Sequence, residues 1–290
     1  MNLTSPSEVK SWCIANEFHP NKTLGQNFLI DKNVLTSIVD AGLAPIAAEL
    51  SRGQSPSISG GQTPSVQRGQ SPKVLEIGPG MGVLTEEMLK RGVALTAIEK
   101  DPVLAARLAS SLGNPPNLTV IPGDALEVLK TMPLDEFPVM VSNLPYQAGT
   151  RILLEFVERR AFKSMTVLVQ TEVADRLAAK EGSKTRGLAG VWAQLDYDVK
   201  IVRKVSASCF WPRPEIGSTV VTLTRHDRNL ALSAEERKLF HSLTKRAFEH
   251  RRKQLGSIFK DMIQSTARAE ELSNEDWITL VKGLIENENS

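Results

Sequence analysis

Asn143-Leu144-Pro145-Tyr146 is a compact set of groups suited to one difficult reaction, methylation of an aromatic amino nitrogen. The lone pair of such a nitrogen is delocalised into its ring, which makes it a poor nucleophile. Two hydrogen-bond acceptors aimed at its hydrogens favour a more pyramidal, more nucleophilic atom. The Asn143 side-chain oxygen and the Leu144 carbonyl are candidates for those acceptors. Pro145 fixes its own φ and biases Leu144 toward extended backbone. Tyr146 offers a flat face on which a base can stack, a contact worth ~1–3 kcal/mol. Taken alone, the tetrapeptide is more simply a turn after a strand. The run before it, Pro138-Val139-Met140-Val141-Ser142, is short and apolar and reads as a buried strand. The tetrapeptide then stands at a strand's carboxyl end, where open α/β sheets place their ligands.

A second set lies upstream. Gly78-Pro79-Gly80-Met81-Gly82 falls where a strand over 73–77 turns into a helix over 83–91. Glycines at such a turn let a ligand approach the backbone. The dinucleotide fingerprint requires a glycine three places after Gly80, and Val83 stands there, so that pattern fails. The acidic-x-Gly-x-Gly-x-Gly form, beginning at Glu76, instead suggests a methionine-derived nucleoside cofactor without phosphate. Glu99 ends the next strand and can accept hydrogen bonds from ribose hydroxyls. Asp124 ends the third strand and can accept from an adenine amino group. Carboxylates at successive strand ends oppose phosphate ligands and suit a positively charged sulfonium. Each acid singly is also readable as a solvated loop carboxylate.

These groups need a scaffold, and the hydrophobic pattern supplies one. Strands over 73–77, 93–98, 118–121 and 138–142 alternate with helices over 83–91 and 102–112, the pattern of a parallel, doubly wound α/β sheet. A helix over 151–157, a strand over 165–169 and helices over 172–179 and 188–195 continue it. Strand-like runs at 199–205 and 219–224 follow. Ahead of the core, residues 1–21 suggest a helix and a polar turn. Lys22 to Asp31 forms an entry loop in which Gly25 permits a bend and Asp31 caps a helix ending at Gly42. From Ser233 the pattern is helical to the end, over 233–250, 253–262 and 274–286, and Ser233 with Glu236 makes a capping box. The expected division is a catalytic domain over 1–225 and a helical domain over 226–290.

Residues 47–72 break the pattern. Gly-Gln-Ser-Pro stands at 53–56 and 69–72, with Gly-Gln-Thr-Pro at 61–64 between them, an octad repeat. Gly, Ser, Gln and Pro cannot bury enough apolar surface to fold alone, so the tract reads as an inserted loop.

Bulk properties exclude several classes. The chain has 290 residues and a net charge of only +2, so any surface for nucleic acid must be local. One such cluster is Lys245, Arg246, Arg251, Arg252 and Lys253, readable as a phosphate-contacting face or as a solvated helix surface. The two cysteines, Cys13 and Cys209, match no metal site, the four histidines are scattered, and no metal is expected. No basic-then-apolar leader and no apolar run near 18 residues is evident, which leads us to expect a cytoplasmic protein with no membrane role. Nothing in the sequence calls for more than a monomer.

With these residues in view, the chain resembles the ribosomal RNA adenine dimethyltransferase family. Gly25-Gln26-Asn27-Phe28-Leu29 is similar to its N-terminal motif. Glu76 to Gly82, Glu99, Gly123-Asp124-Ala125 and Asn143 to Tyr146 match its cofactor and target-base motifs. Phe210-Trp211-Pro212-Arg213-Pro214, followed by Ser218-Thr219-Val220-Val221, is similar to its Phe-x-Pro-x-Pro segment. Arg246-Ala247-Phe248 with Arg251-Arg252-Lys253 resembles its basic C-terminal helix. The similarity runs over about residues 20–260, interrupted only by the octad insert.

The resemblance implies a class I methyltransferase fold with a small helical C-terminal domain that binds rRNA. It implies methyl transfer from S-adenosyl-L-methionine to two adjacent adenosines near the 3′ end of 16S rRNA, in the small subunit or its precursor, with a role in small-subunit biogenesis. By position, Asn27, Leu29, Gly78, Glu99, Asp124 and Asn143 would bind the cofactor. Asn143, Leu144, Pro145 and Tyr146 would hold the target adenine, and Phe210 would close the base pocket. Three places depart from the pattern: the family usually has a lysine near Thr171, a tyrosine near Arg186 and an aspartate near Gly217. Two other readings share parts of this pattern, a 23S rRNA dimethyltransferase and a non-catalytic small-subunit assembly factor. A DNA adenine methyltransferase fits less well, because no separate sequence-reading domain is evident.

Overall fold

A computed structural model describes residues 1–53, 71–260 and 262–288. The core is a seven-stranded sheet of β2 (Lys73–Ile77), β3 (Ala94–Glu99), β4 (Leu118–Pro122), β5 (Val139–Asn143), β6 (Ser164–Gln170), β7 (Tyr197–Val205) and β9 (Ser218–Arg225), in the order β4-β3-β2-β5-β6-β9-β7. The first five positions are parallel, and β9 runs antiparallel to both β6 and β7. The chain reverses direction along the sheet between β2 and β5. The loops that end these two neighbouring strands therefore diverge and leave a crevice, the switch point at which doubly wound folds bind ligands.

The central strands are buried on both faces, which explains their continuous apolar runs. One face carries α2 (Lys32–Leu43), whose Val34, Leu35, Ile38, Val39 and Leu43 pack with Val74, Leu95, Val139, Val141 and Leu168. Gly42 is required there, since a β-carbon on it would lie 2.4 Å from a Val141 methyl. Asp31 caps this helix by accepting from the Val34 N–H at 2.9 Å. The other face carries α7 (Gly149–Glu158), with Ile152, Leu153, Phe156 and Val157 facing Met140, Met165 and Val167.

Helix continues past α2 through a 3-10 turn at Pro45 into α3 (Ala47–Gly53). The expected inserted loop over 47–72 is thus corrected at its start. Ala47, Ala48, Glu49 and Leu50 are good helix formers, and Leu50 packs against the α2 side of the core. The octad repeats over 54–70 lie outside the described residues. The run Lys32–Ser51 is also long and apolar enough, by length and composition, to cross a membrane, which the sequence reading did not anticipate. Much of its apolar side is packed against the sheet.

Helices α4 (Val83–Lys90), α5 (Pro102–Ser111) and the short α6 (Ala125–Val128) complete the wrapping. Helix α1 (Pro6–Ala15) buries Val9 and Cys13 in a separate cluster with Phe18, Phe28 and Met81. One feature had no sequence signal: a two-stranded ribbon pairing β1 (Phe28–Leu29) with β8 (Phe210–Trp211), Phe28 opposite Trp211 and Leu29 opposite Phe210. Strands this short are fixed by their packing rather than by propensity.

After the sheet, α10 (Ala234–Glu249), α11 (Leu255–Phe259) and α12 (Asn274–Glu288) share a core of Phe240, Leu243, Phe259 and Trp277. That core also takes in Val191 and Leu195 from α9 (Leu188–Asp196). The C-terminal helices therefore grow off α9 rather than standing apart. Ser233 and Glu236 form the expected reciprocal cap of α10.

Candidate active site

At the crevice, Gly78, Gly80 and Gly82 adopt φ of +66°, +58° and +89°, values that a side chain disfavours. A β-carbon on Gly80 would press on the Phe28 ring at 3.2 Å. One on Gly78 would meet Pro145 at 3.7 Å and the Asn143 carbonyl oxygen at 4.0 Å. The glycine turn and the tetrapeptide are therefore direct neighbours. One cavity is lined by both, together with Gly25–Leu29, Glu76, Glu99 and Asp124. The buried Ser142 hydroxyl fixes this proximity by accepting from the Ile77 N–H at 2.8 Å, tying β5 to β2 at their ends.

Asn143 ends β5. Its Nδ2 donates to the Asn27 carbonyl at 3.3 Å, which assigns Oδ1 as the acceptor left for the cavity. The Leu144 N–H donates to the Leu168 carbonyl at 3.1 Å. The Leu144 carbonyl itself accepts no hydrogen bond among the described residues. Pro145 closes the turn by accepting from the Gly149 N–H at 2.7 Å. Tyr146 is half-buried, and its hydroxyl shares a 2.5 Å hydrogen bond with the Ser218 hydroxyl. Gly25, at φ +67°, lies against the Tyr146 N–H, so the entry loop folds over the tetrapeptide.

The carboxylates hold the glycine turn from below. Glu99 accepts from the Gly80 N–H at 2.9 Å and from the Asp101 N–H at 2.8 Å. Burial raises its pKa, partly offset by these N–H donors. Glu76 is fully buried, accepts from the Thr85 hydroxyl at 2.7 Å, and is pushed up to about 8 by desolvation, with the nearby Glu99 charge adding to the rise. Asp101 accepts from the Gln26 side chain at 2.9 Å, joining the entry loop to α5.

Asp124 is already engaged on both oxygens. Oδ1 caps α6 by accepting from the Leu126 N–H at 2.9 Å, and Oδ2 pairs with Lys100 at 2.8 Å. The Lys100 hydrogen bond is the main cause holding its carboxyl below the usual range. A ligand amino group at Asp124 would join the Leu126 N–H on Oδ1 or the Lys100 ammonium on Oδ2.

Phe210, expected to close the base pocket, sits one layer behind the cavity wall. It does not line the cavity but is 3 % exposed, packed with Leu29, Val205 and Val220. Phe210 sits opposite Leu29 in the ribbon and packs behind it, while Phe28 and Leu29 themselves line the cavity. Phe28 is therefore the aromatic group that sequence reasoning missed as a wall residue.

The basic cluster also divides. Arg246 donates to the Ile258 carbonyl at 3.2 Å and stacks on Phe259 at 5.3 Å. Arg251 is engaged by the Lys184 carbonyl and by Glu270. Lys245, Arg252 and Lys253 are exposed. Among the described residues no group of His, Cys, Asp or Glu is placed to hold a metal.

Comparison with known proteins identifies the family and the fold. The family profile described as Ribosomal RNA adenine dimethylase matches residues 17–284. A protein of Alkaliphilus oremlandii named Ribosomal RNA small subunit methyltransferase A is 36% identical over 259 residues, covering 87% of this chain and 82% of that protein. One of the same name from Deinococcus radiodurans is 39% identical over 221 residues, 76% of this chain and 67% of that one. Among solved structures, a dimethyladenosine transferase from Plasmodium falciparum superposes with a TM-score of 0.69 at 20% identity, covering 90% of this chain and 98% of that one. The 23S rRNA methyltransferase ErmE gives 0.63 at 22%, covering 89% and 100%. These two establish the shared class I methyltransferase fold. A family match spanning nearly the whole chain, with relatives 36–39% identical over most of their length, places this protein in the ribosomal RNA adenine dimethylase family.

Proposed function

We propose that this chain dimethylates the N6 amino groups of two adjacent adenosines near the 3′ end of 16S rRNA, with S-adenosyl-L-methionine as donor. The observation that carries the reading is the Asn143 side chain. Its Nδ2 is committed to Asn27, so Oδ1 stands as an acceptor in a cavity whose facing wall is the glycine turn. The relatives named for the small subunit favour 16S over 23S rRNA as the substrate.

The residues present suit the donor. The bare backbone at Gly78 and Gly80 leaves room that a β-carbon would fill. Glu99 and Asp124 offer carboxylates to hydroxyl and amino groups, and Asn27 and Leu29 flank the same cavity. S-adenosyl-L-methionine, when bound, supplies an electrophilic methyl group on a sulfonium. Asn143 Oδ1 and the Leu144 carbonyl grip the adenine amino hydrogens, and Pro145 holds that carbonyl in place. Tyr146 stacks on the base after it leaves its own stack, a step costing a few kcal/mol. No strong general base lies on the tetrapeptide, and none is needed if the proton departs after attack. Catalysis then rests on positioning.

The helical segment from about residue 226 serves as the rRNA-binding domain in this reading. Lys245, Arg252 and Lys253 are the phosphate contacts, while Arg246 and Arg251 support the fold. Methyl transfer to small subunits lacking the modification, followed by mass spectrometry of digested rRNA, tests the proposal. Dimethyladenosine in 16S rRNA is the expected product. Methylation confined to 23S rRNA, or cofactor binding without transfer, would replace it with a different reading.

A further inference from the structure

Strand β7 ends the sheet, and among the described residues its outer edge pairs with no other strand. Five consecutive residues, Lys200 to Lys204, are exposed, with Ile201 37% and Val202 36% accessible. Three of the five are cations: Lys200, Arg203 and Lys204. The pairing with β9 slips between Ile201 and Arg203, so the edge carries a bulge at Val202. Arg203 is anchored, donating to the Asn33 carbonyl at 3.2 Å at the start of α2.

Few carboxylates oppose this charge. Asp198, on the same strand, is paired with Arg228 at 2.6 Å. Asp31 is occupied in capping α2 and in accepting from the Cys209 thiol at 3.7 Å. Glu215 is exposed in the following loop, where Arg213 is exposed as well. The edge thus keeps a positive excess on a chain whose overall charge is only +2.

Position distinguishes this edge from an ordinary solvated one. Two successive antiparallel pairings make β7 parallel to β6, so its carboxyl end lies at the same end of the sheet as Asn143. Three strand spacings separate β7 from β5, roughly 14 Å. From Val205 the chain runs directly into the β1–β8 ribbon, whose Phe28 and Leu29 line the cavity. Lysines and bulges also protect edge strands from pairing with other chains. That role alone does not require the cations to cluster toward the catalytic end.

We propose that Lys200, Arg203 and Lys204 form a second phosphate-binding track, along which the RNA strand flanking the target adenosines leaves the cavity. The proposal rests on the rRNA reading above and adds a surface separate from the C-terminal cluster. Exposed Ile201 and Val202 give the sugars an apolar surface between the charges.

The test compares the wild-type chain with the Lys200→Gln/Arg203→Gln/Lys204→Gln variant on methylation-deficient small ribosomal subunits. Affinity is measured across a salt series, alongside S-adenosyl-L-methionine binding and thermal stability. The expected result is affinity lower by roughly ten-fold and a log–log salt slope shallower by about 2, since each single-strand phosphate contact contributes ~0.7. Cofactor binding and stability stay at wild-type values. Unchanged affinity and slope overturn the proposal, as does self-association of the variant with unchanged RNA affinity, which would reduce the cations to edge protection. A loss seen on subunits but absent on protein-free 16S rRNA would assign the edge to an acidic protein surface and overturn it too. Failure of the wild-type chain to methylate any rRNA would sink the parent reading instead.

Discussion

The Tyr146 and Ser218 hydroxyls meet at 2.5 Å, joining the turn after β5 to the first residue of β9, two places along the sheet order. Ser218 is fully buried and Tyr146 half-buried, so the contact fixes the ring that is proposed to stack on the base. Tyr146→Phe and Ser218→Ala should each lower kcat by roughly five-fold, the equivalent of one hydrogen bond of about 1 kcal/mol. The double variant should be no slower than either single one. Additive losses would show that the two groups act separately.

Asn143→Ala removes the proposed acceptor and its bond to Asn27. Loss of methyl transfer by about 10²-fold or more is expected, on the scale of deleting one preorganised hydrogen-bonding group from a reacting centre. Far-UV circular dichroism should not change. Substantial activity in this variant would remove Asn143 from the mechanism.

Glu76 gives stability a specific pH dependence. Its folded pKa, about 8, lies above the ordinary carboxylate value of 4.5. Between those values the folded chain holds a proton that the unfolded chain has released. Stability from this group is therefore fully present below about 4.5, declines as pH rises, and levels off above about 8. Denaturant titrations from pH 5 to 9 should show this slope, and Glu76→Gln should flatten it. An identical slope in the variant would assign it to other groups.

The octad repeats leave from α3 and return at Lys73, the amino end of β2, whereas the glycine turn follows that strand's carboxyl end. Five strand residues separate the two, roughly 17 Å. Replacing residues 54–70 with a Gly/Ser linker of equal length should leave cofactor affinity and methyl transfer within about two-fold of wild type, since the linker keeps both attachment points, which lie away from the glycine turn. A large loss of transfer would bring the tract into the site.

Arg186 is 1 % exposed and bonds the Asn274 side chain at 3.0 Å and the Ala179 carbonyl at 3.3 Å, linking the segment before α9 to α12. Desolvation lowers its pKa. Arg186→Ala strands the Asn274 oxygen in the interior and should cost about 2–4 kcal/mol. Urea unfolding checks this, and a variant of wild-type stability would show that the network is dispensable. The other two departures from the family pattern are also structural neighbours. A β-carbon at Gly217 would lie 3.6 Å from the Thr171 hydroxyl, so the usual lysine and aspartate are absent together from one place. Thr171 instead meets the Thr219 hydroxyl at 3.1 Å.

The sequence by itself determined the alternation of strands and helices, because burial on both sheet faces imposes unbroken apolar runs. It also determined the glycine turn, the capping residues Asp31 and Ser233, and the Asn143 tetrapeptide, since each is a local demand of backbone geometry. Only the tertiary structure decided what lies across the cavity. Phe28 and Phe210 occupy equivalent-looking apolar positions in the sequence, and the register of a four-residue ribbon sends one to the cavity and the other to the core. In the same way, nothing near Arg246 or Arg251 in the chain announces Ile258, Lys184 or Glu270 as their partners. Such pairings depend on contacts between distant segments, which no local pattern of residue types encodes.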